Sequence, residues 1–480
     1  MSNSIIKITV LLLFLLNLLA GFIFMNEGLF HYDAVYLARA VENSFRTGHL
    51  EPAARGRYGS VLINSLIYLP FFILHQDADF SIRLSSVIFH ALSITMLFLF
   101  VYELFGDFIQ ALFSGLLFSF VPFYFSPNTY GKEHGMSVFF VLLSFYLLCR
   151  WQRERSYFLL GLSGFFLGFS ISVKESVIML VPLYFFLLFT FLPKDRVKTK
   201  VFLAAFVPFF LVFLVLFFSY LKHEFFRELF IRDVFCSEFL GPCSYMLQKA
   251  FKDLTKSIPK LLFLFSVLGA ILMVQRRRIP LVLFLCLWFM LIFFYGNMAS
   301  FAPRYLDVVV IPMLILAAYF LSRLYEKSKI ISTALLIYFV SGMLIFVYPT
   351  LSFRHRYNSE KQFALFVNQV TQKNALIITM DDAIFIEYYG KRKTLSHPVN
   401  DRAKMHDFVR AVSVSLANNI PVYVTGSGFS YDQKKFFWDI MTESYKLTLI
   451  GTQFCEDYHR PELEPVRYDH HLFRVNFLKP

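Results

Sequence analysis

Long apolar stretches, separated by short polar loops, make up most of the chain from its start to about residue 350. Many of them approach the roughly 20 residues that an α-helix needs to cross a bilayer. Charged residues are rare inside them, as expected for segments that face lipid or other helices. The pattern predicts about eleven spans, at 5–24, 85–104, 109–125, 136–148, 157–171, 177–192, 201–220, 261–274, 279–295, 308–321 and 330–348.

A shorter apolar segment, Val61–Leu74, contains Pro70 and interrupts the first long loop. Its length is below that of a full span. We interpret it as an interfacial helix, because another span here would move the basic loops that follow to the opposite side of the membrane.

After about Arg354 the apolar runs become shorter and alternate with amphipathic stretches. Residues 375–380 and 421–426 are typical of strands that are buried on both faces, whereas residues 359–372 and 401–419 are typical of helices. This alternation predicts a small α/β domain.

Composition and charge agree with a membrane protein. Of the 480 residues, 57% are hydrophobic and 16% are charged, which is far more apolar than a soluble domain. Many of the residues behind the net charge of +13 lie in short basic blocks between apolar runs, rather than on a surface suited to nucleic acid. These blocks share one face, which the positive-inside rule makes cytoplasmic. They occupy residues 150–155, 194–200, 276–278 and 323–329.

The predicted fold is therefore a polytopic α-helical membrane protein of about eleven transmembrane helices with a C-terminal extracytoplasmic α/β domain. We expect a transmembrane domain over residues 1–352, with outward loops at 26–84 and 222–260, and the α/β domain over residues 353–480. The N-terminus is predicted to be cytoplasmic, in a bacterial inner or plasma membrane, with the first span retained rather than cleaved.

The outward loops hold the polar residues best suited to chemistry. Asp33 follows the first span, and an ionisable group at membrane depth indicates a functional site by default. A face that gathers carboxylates, cations and aromatic side chains suits acid–base chemistry and the binding of anions. The other candidates on this face are Tyr36, Arg57, Tyr58, Lys132, Glu133, His134, Lys174, Glu175 and Arg304.

Structural alternatives stay open for several of these residues. Asp33 is also placed to cap the first helix of the outer loop, and Lys174–Glu175 to form a surface pair between two helices. Arg304 would serve equally as an interfacial anchor, and we interpret Arg83 as a headgroup or loop anchor. Solvated loop or turn positions are the interpretation for Asp381, Asp382, Asp469, His470 and His471.

Two cysteines, Cys236 and Cys243, lie close together in the outward loop 222–260, where a disulfide is permitted. Two free thiols would also be compatible with that loop. The five cysteines of the chain show no zinc-type spacing. His134 beside Glu133 suits either a divalent metal or a solvated loop, so we assign no metal or other cofactor.

Four stretches resemble one family of membrane enzymes. In order, they are similar to the acidic first loop, the Arg-Leu-x-Ser second span, the second acidic loop and the Gly-rich fifth span of GT-C superfamily glycosyltransferases. The branch is that of the protein O-mannosyltransferases and aminoarabinose transferases, and the resemblance covers roughly residues 1–350. Ala34 stands where the family commonly has Glu, and Glu133 stands where it usually has Asp. The stretches are HYDAVYLARAV, SIRLSSVIFHALSITMLFLFVYELFG, SPNTYGKEHGMSVFFVLLSFYLL and LGFSISVKES.

The resemblance implies a glycosyltransferase that moves a hexose or pentose, with inversion, from a polyprenyl-phosphate donor to an acceptor outside the cytoplasm. Asp33 would be the base and Glu133 the second acid. The implied partners are the lipid-linked donor, membrane lipids, and a lipopolysaccharide (lipid A), another glycan or a protein hydroxyl as acceptor. The residues implied to hold the donor phosphate are Arg57, Tyr58, Lys174 and Arg304, and those implied to contact acceptor or sugar are Tyr36, Lys132, His134 and Glu175.

Two other functional classes make different predictions. A transporter or flippase of a lipid-linked substrate would show broken helices near the bilayer midplane and related halves. The sequence has no evident internal repeat, and its charged residues cluster at one surface. A sensor with an extracytoplasmic binding domain would need neither Asp33 nor Glu133.

Overall fold

The computed structural model describes residues 3–53, 57–190, 198–221, 252, 254–298, 306–380, 382–398, 402–429, 435–457 and 466–477. The chain forms two compact units. The first consists of Met1–Met25 with Ala40–Ser352, and the second of Asn26–Arg39 with Phe353–Pro480. The second unit therefore includes a short segment from the first outward loop, in addition to the C-terminal residues predicted to form a domain.

Every described element of secondary structure in the first unit is a helix. A 3-10 helix, Glu175–Leu180, precedes α9 directly. The second helix, α2, passes from the second unit into the first, and the last one, α14, passes from the first into the second. The helices are α1 Asn3–Ile23, α2 Tyr32–Thr47, α3 Tyr58–Ile73, α4 Asp79–Phe105, α5 Phe108–Ser119, α6 Pro122–Thr129, α7 His134–Glu154, α8 Tyr157–Val173, α9 Val181–Thr190, α10 Lys198–Leu221, α11 Lys260–Gln275, α12 Ile279–Met298, α13 Leu306–Lys327 and α14 Lys329–Arg356.

Each predicted span coincides with one of these helices or with a pair of them. Among the described residues, six helices are long and apolar enough to cross a membrane, and a bent pair brings this to seven. The remaining predicted spans, and the interfacial segment after residue 57, fall on apolar helices of 10–17 residues. The chain is thus an integral membrane protein, and the number of eleven spans stays a prediction.

The third predicted span is not one straight helix. It divides into α5 and α6, which are bent by 60° with respect to each other. Pro122 begins α6, and the residue before it, Val121, has a non-helical ψ of 118°. Proline lacks an N–H group and disfavours a helical conformation in the residue before it, so the break is encoded locally.

Small residues let the helices of the first unit approach closely. A Cβ atom on Gly164 would overlap the carbonyl oxygen of Ala205 in α10, and one on Gly168 would lie 2.6 Å from that of Phe209. On α3, a Cβ atom on Gly59 would overlap the hydroxyl of Ser172 near the end of α8. Glycines at such spacing are typical of tight helix pairs in membranes. The contact at Gly59 brings the start of α3 next to the end of α8.

The second unit contains a five-stranded sheet in the order β2-β1-β3-β5-β4. Strand β1 pairs in parallel with β2 and β3, whereas β5 pairs antiparallel with β3 and β4. Its strands are β1 Leu376–Ile378, β2 Lys393–Leu395, β3 Val422–Thr425, β4 Tyr445–Asp457 and β5 Val466–Phe477, and its further helices are α15 Ser359–Val370, α16 Ala383–Tyr388, α17 Arg402–Ala417 and α18 Phe436–Ser444.

The two strands and two helices that the sequence predicts after residue 354 are confirmed as β1, β3, α15 and α17. Helix α17 packs one apolar face on the sheet, where Val412 joins Val422 and Val424 in a buried core. The long hairpin of β4 and β5 was not predicted. Its first residues, YKLTL, alternate apolar and polar side chains, which is the usual signal of a strand exposed on one face.

Candidate functional site

A buried arginine, Arg57, lies at the centre of the polar residues in the first unit. It occupies the position before α3, and only 7% of its surface is exposed. Its Nε and Nη2 atoms donate to the two carboxylate oxygens of Glu175 at 3.0 and 3.1 Å, and its Nη1 donates to Glu133. The paired contact with Glu175 is the planar, bidentate geometry that guanidinium groups favour.

Glu133 is positioned by a tight turn before α7. The hydroxyl of Ser86, from the Arg-Leu-x-Ser stretch, donates to the carbonyl of Lys132 at 2.5 Å. The N–H group of Gly135 donates to the side chain of Asn128 at 2.7 Å. A Cβ atom on Gly135 would come within 2.8 Å of that amide oxygen, so a larger residue would push the turn outward.

Lys174 lies where α8 ends and the following 3-10 helix begins. Its side chain is buried, with 3% of the residue exposed, and its Nζ lies 2.9 Å from Nδ1 of His134. A charged ammonium group can only donate, so this contact favours the neutral His134 tautomer that carries its proton on Nε2. The alternative of an exposed Lys174–Glu175 surface pair is therefore wrong, because both residues face buried partners.

Because Glu133 adjoins His134 and Lys174 adjoins Glu175 in the chain, these contacts bring five residues together, which we call the Arg57 cluster: Arg57, Glu133, His134, Lys174 and Glu175. The cluster joins the starts of α3 and α7 to the end of α8. Removing two cations and two carboxylates from water costs desolvation free energy. Truncating one partner of such a group destabilises the protein by about 3–5 kcal/mol. Such a cluster therefore contributes little net stability to the fold. Its charged groups suit the binding of a charged ligand.

The remaining first-unit candidates lie around the cluster. Tyr58 follows Arg57 directly, and partial burial, with a smaller effect from Glu51, raises the pKa of its hydroxyl. That hydroxyl therefore stays protonated. Lys132 is almost fully buried in the turn before Glu133. Arg83, interpreted as a headgroup or loop anchor, is buried, and its Nε donates to Asp79 one helical turn earlier at 2.6 Å.

Asp33 and Tyr36 belong to the second unit. Asp33 lies in the first turn of α2 with 8% of its surface exposed, and its backbone N–H donates to Nδ1 of His31 at 3.1 Å. One of its carboxylate oxygens lies 3.7 Å from the same nitrogen. An acid in the first turn stabilises a helix, so the structure is compatible with the predicted capping role. Tyr36, one turn later, is exposed.

Three other candidates, Arg304, Cys236 and Cys243, lie outside the described residues. Among the residues that the structure describes, no group of three or more His, Cys, Asp or Glu side chains could hold a metal ion. The pairing of His134 with Lys174 further disfavours a metal at its Nδ1, because the ammonium group already occupies that position.

A polar network in the second unit was missed from the sequence. Asp382 and His470 were expected to be solvated, but both are buried, and His470 Nδ1 lies 3.6 Å from Asp382 Oδ2. The hydroxyl of Ser427 donates to the same oxygen at 2.6 Å. The ring of His470 stacks on Phe363 with 4.3 Å between centroids. Recognising β5 by its alternation would have placed His470 on the buried face.

Comparisons with known proteins extend this picture. The family model described as Dolichyl-phosphate-mannose-protein mannosyltransferase matches residues 62–218, a range that includes Glu133, Lys174 and Glu175. The structure resembles an oligosaccharyltransferase from Archaeoglobus fulgidus in complex with Zn and sulfate, at a TM-score of 0.57 and 12% identity over 86% of this chain and 67% of that one. The chain therefore resembles the GT-C glycosyltransferases in its fold. A search of curated proteins finds no match.

Two further solved structures have the same fold. ArnT from Cupriavidus metallidurans in the apo state matches at a TM-score of 0.51 and 12% identity over 97% of both chains. The archaeal oligosaccharyltransferase AglB from Archaeoglobus fulgidus, in complex with an inhibitory peptide and a dolichol-phosphate, matches at 0.53 and 11% over 92% of this chain and 72% of that one. Together with the family match over residues 62–218, these likenesses indicate the fold of the GT-C membrane glycosyltransferases.

Proposed function

We propose that this protein is a GT-C glycosyltransferase that transfers one sugar from a polyprenyl-phosphate donor to an acceptor hydroxyl on the extracytoplasmic face of the membrane. The observation that carries the proposal is the Arg57 cluster. It buries two cations beside two carboxylates at helix ends, in a fold shared with a structure that contains a dolichol-phosphate.

The reaction does not require a strong general acid, because the leaving group is a phosphate, which is stable as an anion. Asp33 takes the proton from the acceptor while the acceptor atom forms its bond to the anomeric carbon. The bond from that carbon to the phosphate oxygen breaks with its electron pair, and polyprenyl phosphate leaves. Direct displacement of this kind inverts the anomeric centre.

Cations stabilise the charge that develops on the departing phosphate. Arg57 and Lys174 are the described cations of the cluster, and Tyr58 lies beside them with a protonated hydroxyl able to donate. Glu133 and Glu175 hold Arg57 in place and are exchanged in part for phosphate oxygens when the donor binds. Arg304 is proposed as a further phosphate contact, and Tyr36, Lys132 and His134 as contacts to the sugar or acceptor.

The acceptor belongs to the cell envelope: a lipopolysaccharide component such as lipid A, another glycan, or a protein hydroxyl. An outward C-terminal domain fits any of these. The basic blocks support a cytoplasmic N-terminus in a bacterial inner or plasma membrane, and Cys236 and Cys243 remain candidates for a disulfide in an outward loop.

The test is turnover of a panel of polyprenyl-phosphate sugars by the purified protein. We expect the wild-type protein to release free polyprenyl phosphate. The rate of release should fall at least about 100-fold in Asp33→Asn, because an amide cannot take the proton from the acceptor. Asp439→Asn, an exposed carboxylate on α18 of the same unit, is the matched control and should retain full activity. Equal turnover by Asp33→Asn and wild type would contradict the proposal.

A flippase for a lipid-linked substrate is the second candidate, and the bend between α5 and α6 favours it, because transporters use broken helices. The two functions differ in one product. Movement of labelled donor across proteoliposomes without release of polyprenyl phosphate, unchanged in Asp33→Asn, would replace the transferase by the flippase.

A further inference from the structure

We propose that residues in and directly next to α15 and α16 fix the segment that carries Asp33, so that the C-terminal part of the second unit contributes positioning residues to the transfer reaction. The inference rests on the proposed function, in which Asp33 is the base. It concerns only contacts inside the second unit, between Asn26–Arg39 and residues after Phe353.

The segment is held first at Glu27. Its backbone N–H donates to the carbonyl of Arg354 at 3.1 Å, and its own carbonyl accepts from Lys361 Nζ at 2.9 Å. Its carboxylate lies 3.3 Å from the same ammonium group and accepts from Gln362 at 3.2 Å. Four contacts thus converge on one residue, two of them on its backbone, where they fix the path of the chain.

The next anchor is Leu29, which is fully buried. Its N–H donates to the hydroxyl of Tyr389 at 2.9 Å, and its carbonyl accepts from the amide of Asn358 at 3.1 Å. Both backbone groups of this loop residue are therefore satisfied by side chains from distant parts of the sequence. A loop that lacks secondary structure needs such partners when it is buried.

Close packing surrounds these hydrogen bonds. A Cβ atom on Gly28 would lie 2.7 Å from the Lys361 side chain and 3.2 Å from the Tyr389 hydroxyl, so a larger residue would have to displace the Lys361 side chain. The guanidinium of Arg354 lies 3.8 Å from the centre of the Phe30 ring. A buried cation over an aromatic ring adds about 2 kcal/mol. The path of the chain from Glu27 to Phe30 is consequently defined at every residue.

A third anchor follows Asp33. Arg39, two turns further along α2, pairs with Glu387 of α16, and the other oxygen of Glu387 accepts from Thr394 of β2 at 2.5 Å. Asp33 therefore lies between two fixed points, Leu29 before it and Arg39 after it. A carboxylate held in this way keeps its direction while substrate binds, which is what a general base requires.

The decisive variant is Tyr389→Phe, which removes only the hydroxyl that accepts from Leu29. Tyr445→Phe is its matched control, because the Tyr445 hydroxyl contacts Ser413 and the carbonyl of Val409 in the same unit and takes no part in the hydrogen bonds to Glu27 and Leu29 described above. We expect Tyr389→Phe to lower kcat about tenfold with the donor KM within twofold, and Tyr445→Phe to change neither.

A second measurement does not depend on activity. Amide hydrogen exchange of peptides covering residues 26–38 should quicken at least about tenfold in Tyr389→Phe and stay as in wild type in Tyr445→Phe. Unchanged exchange in Tyr389→Phe, or equal losses of kcat in both variants, would overturn the inference. A wild type that transfers no sugar would refute the proposed function and the kinetic role, whereas exchange would still decide whether α15 and α16 hold the segment.

A charge exchange completes the test. Arg39→Glu and Glu387→Arg should each lower kcat, since each places like charges together, and the double variant should recover most of it. The side chains of the pair are 39% and 31% exposed, so reversal does not bury a new charge. Failure of the double variant to recover activity, with wild-type folding, would show that the Arg39 contact does not position Asp33.

Discussion

Arg57 shows how burial turns an ordinary loop arginine into a candidate ligand for phosphate. The sequence around Arg57 does not show that its side chain is buried while that of Arg46, in the same loop, is exposed. In the structure Arg46 has a side chain that is 69% exposed and a distant pairing with Glu42, whereas Arg57 is buried with two carboxylates. Exposed pairs contribute little, and buried ones dominate local energetics.

We expect Arg57→Lys to lower turnover of the polyprenyl-phosphate sugar about 10- to 100-fold, although the charge is kept. A lysine cannot form the paired contact with Glu175, so the remaining partners lose their geometry. Arg46→Lys is the control and should behave as wild type. Turnover and thermal unfolding, both in detergent, are the measurements. An Arg57→Lys variant with unaltered turnover would remove Arg57 from the phosphate site.

Single residues were the hardest part to predict from sequence. The contacts of Arg57 with Glu133 and Glu175 join positions that are 76 and 118 residues apart. Local pattern carries no information about such pairs. The pairing of Asp382 with His470 was missed for the same reason, because the two residues are far apart in the sequence.

At the scale of elements, helix packing depends on a few glycines. Gly161 and Gly164 lie on one helix, α8, less than one turn apart, yet only Gly164 touches backbone of α10 closely. A Cβ atom on Gly161 would lie 3.7 Å from Pro208, which is an ordinary contact, whereas one on Gly164 would overlap a carbonyl oxygen. The two positions are therefore a matched pair for testing the α8–α10 contact.

We expect Gly164→Ala to destabilise the protein by about 1–3 kcal/mol, as overpacking usually does, and Gly161→Ala to leave stability unchanged. Because α8 ends at Lys174, the first variant should also lower turnover. The temperature of unfolding in detergent gives the comparison. Equal unfolding temperatures for the two variants would show that α8 and α10 are not packed in this way.

Helices were predicted well because their apolar length is a property of the local sequence. The break at Pro122 was not predicted, although proline and its preceding residue encode it. The hairpin of β4 and β5 was missed too, because its alternation of apolar and polar residues is short and breaks at Leu449 and Ile450. Short strands buried on both faces, β1 and β3, were easier to recognise.

At the scale of the whole molecule, orientation in the membrane is the property that the basic blocks predict. A C-terminal fusion to alkaline phosphatase should be active, and one to green fluorescent protein dark, because the C-terminus is expected outside. Fusions after Arg155 should give the opposite result. If the phosphatase were active only after Arg155 and the fluorescent protein fluoresced only at the C-terminus, the predicted orientation would be reversed. Asp33 would then face the cytoplasm, and the acceptor would have to be cytoplasmic.

The segment from Asn26 to Arg39 has a practical consequence for anyone who wishes to study the C-terminal part as a soluble fragment. A fragment cut at Phe353 would lack the peptide groups that satisfy the Tyr389 hydroxyl and the Asn358 amide. Joining residues 26–39 to its end through a flexible linker would restore them. Antibody generation, ligand screening and crystallisation should therefore begin from such a spliced chain rather than from a simple truncation.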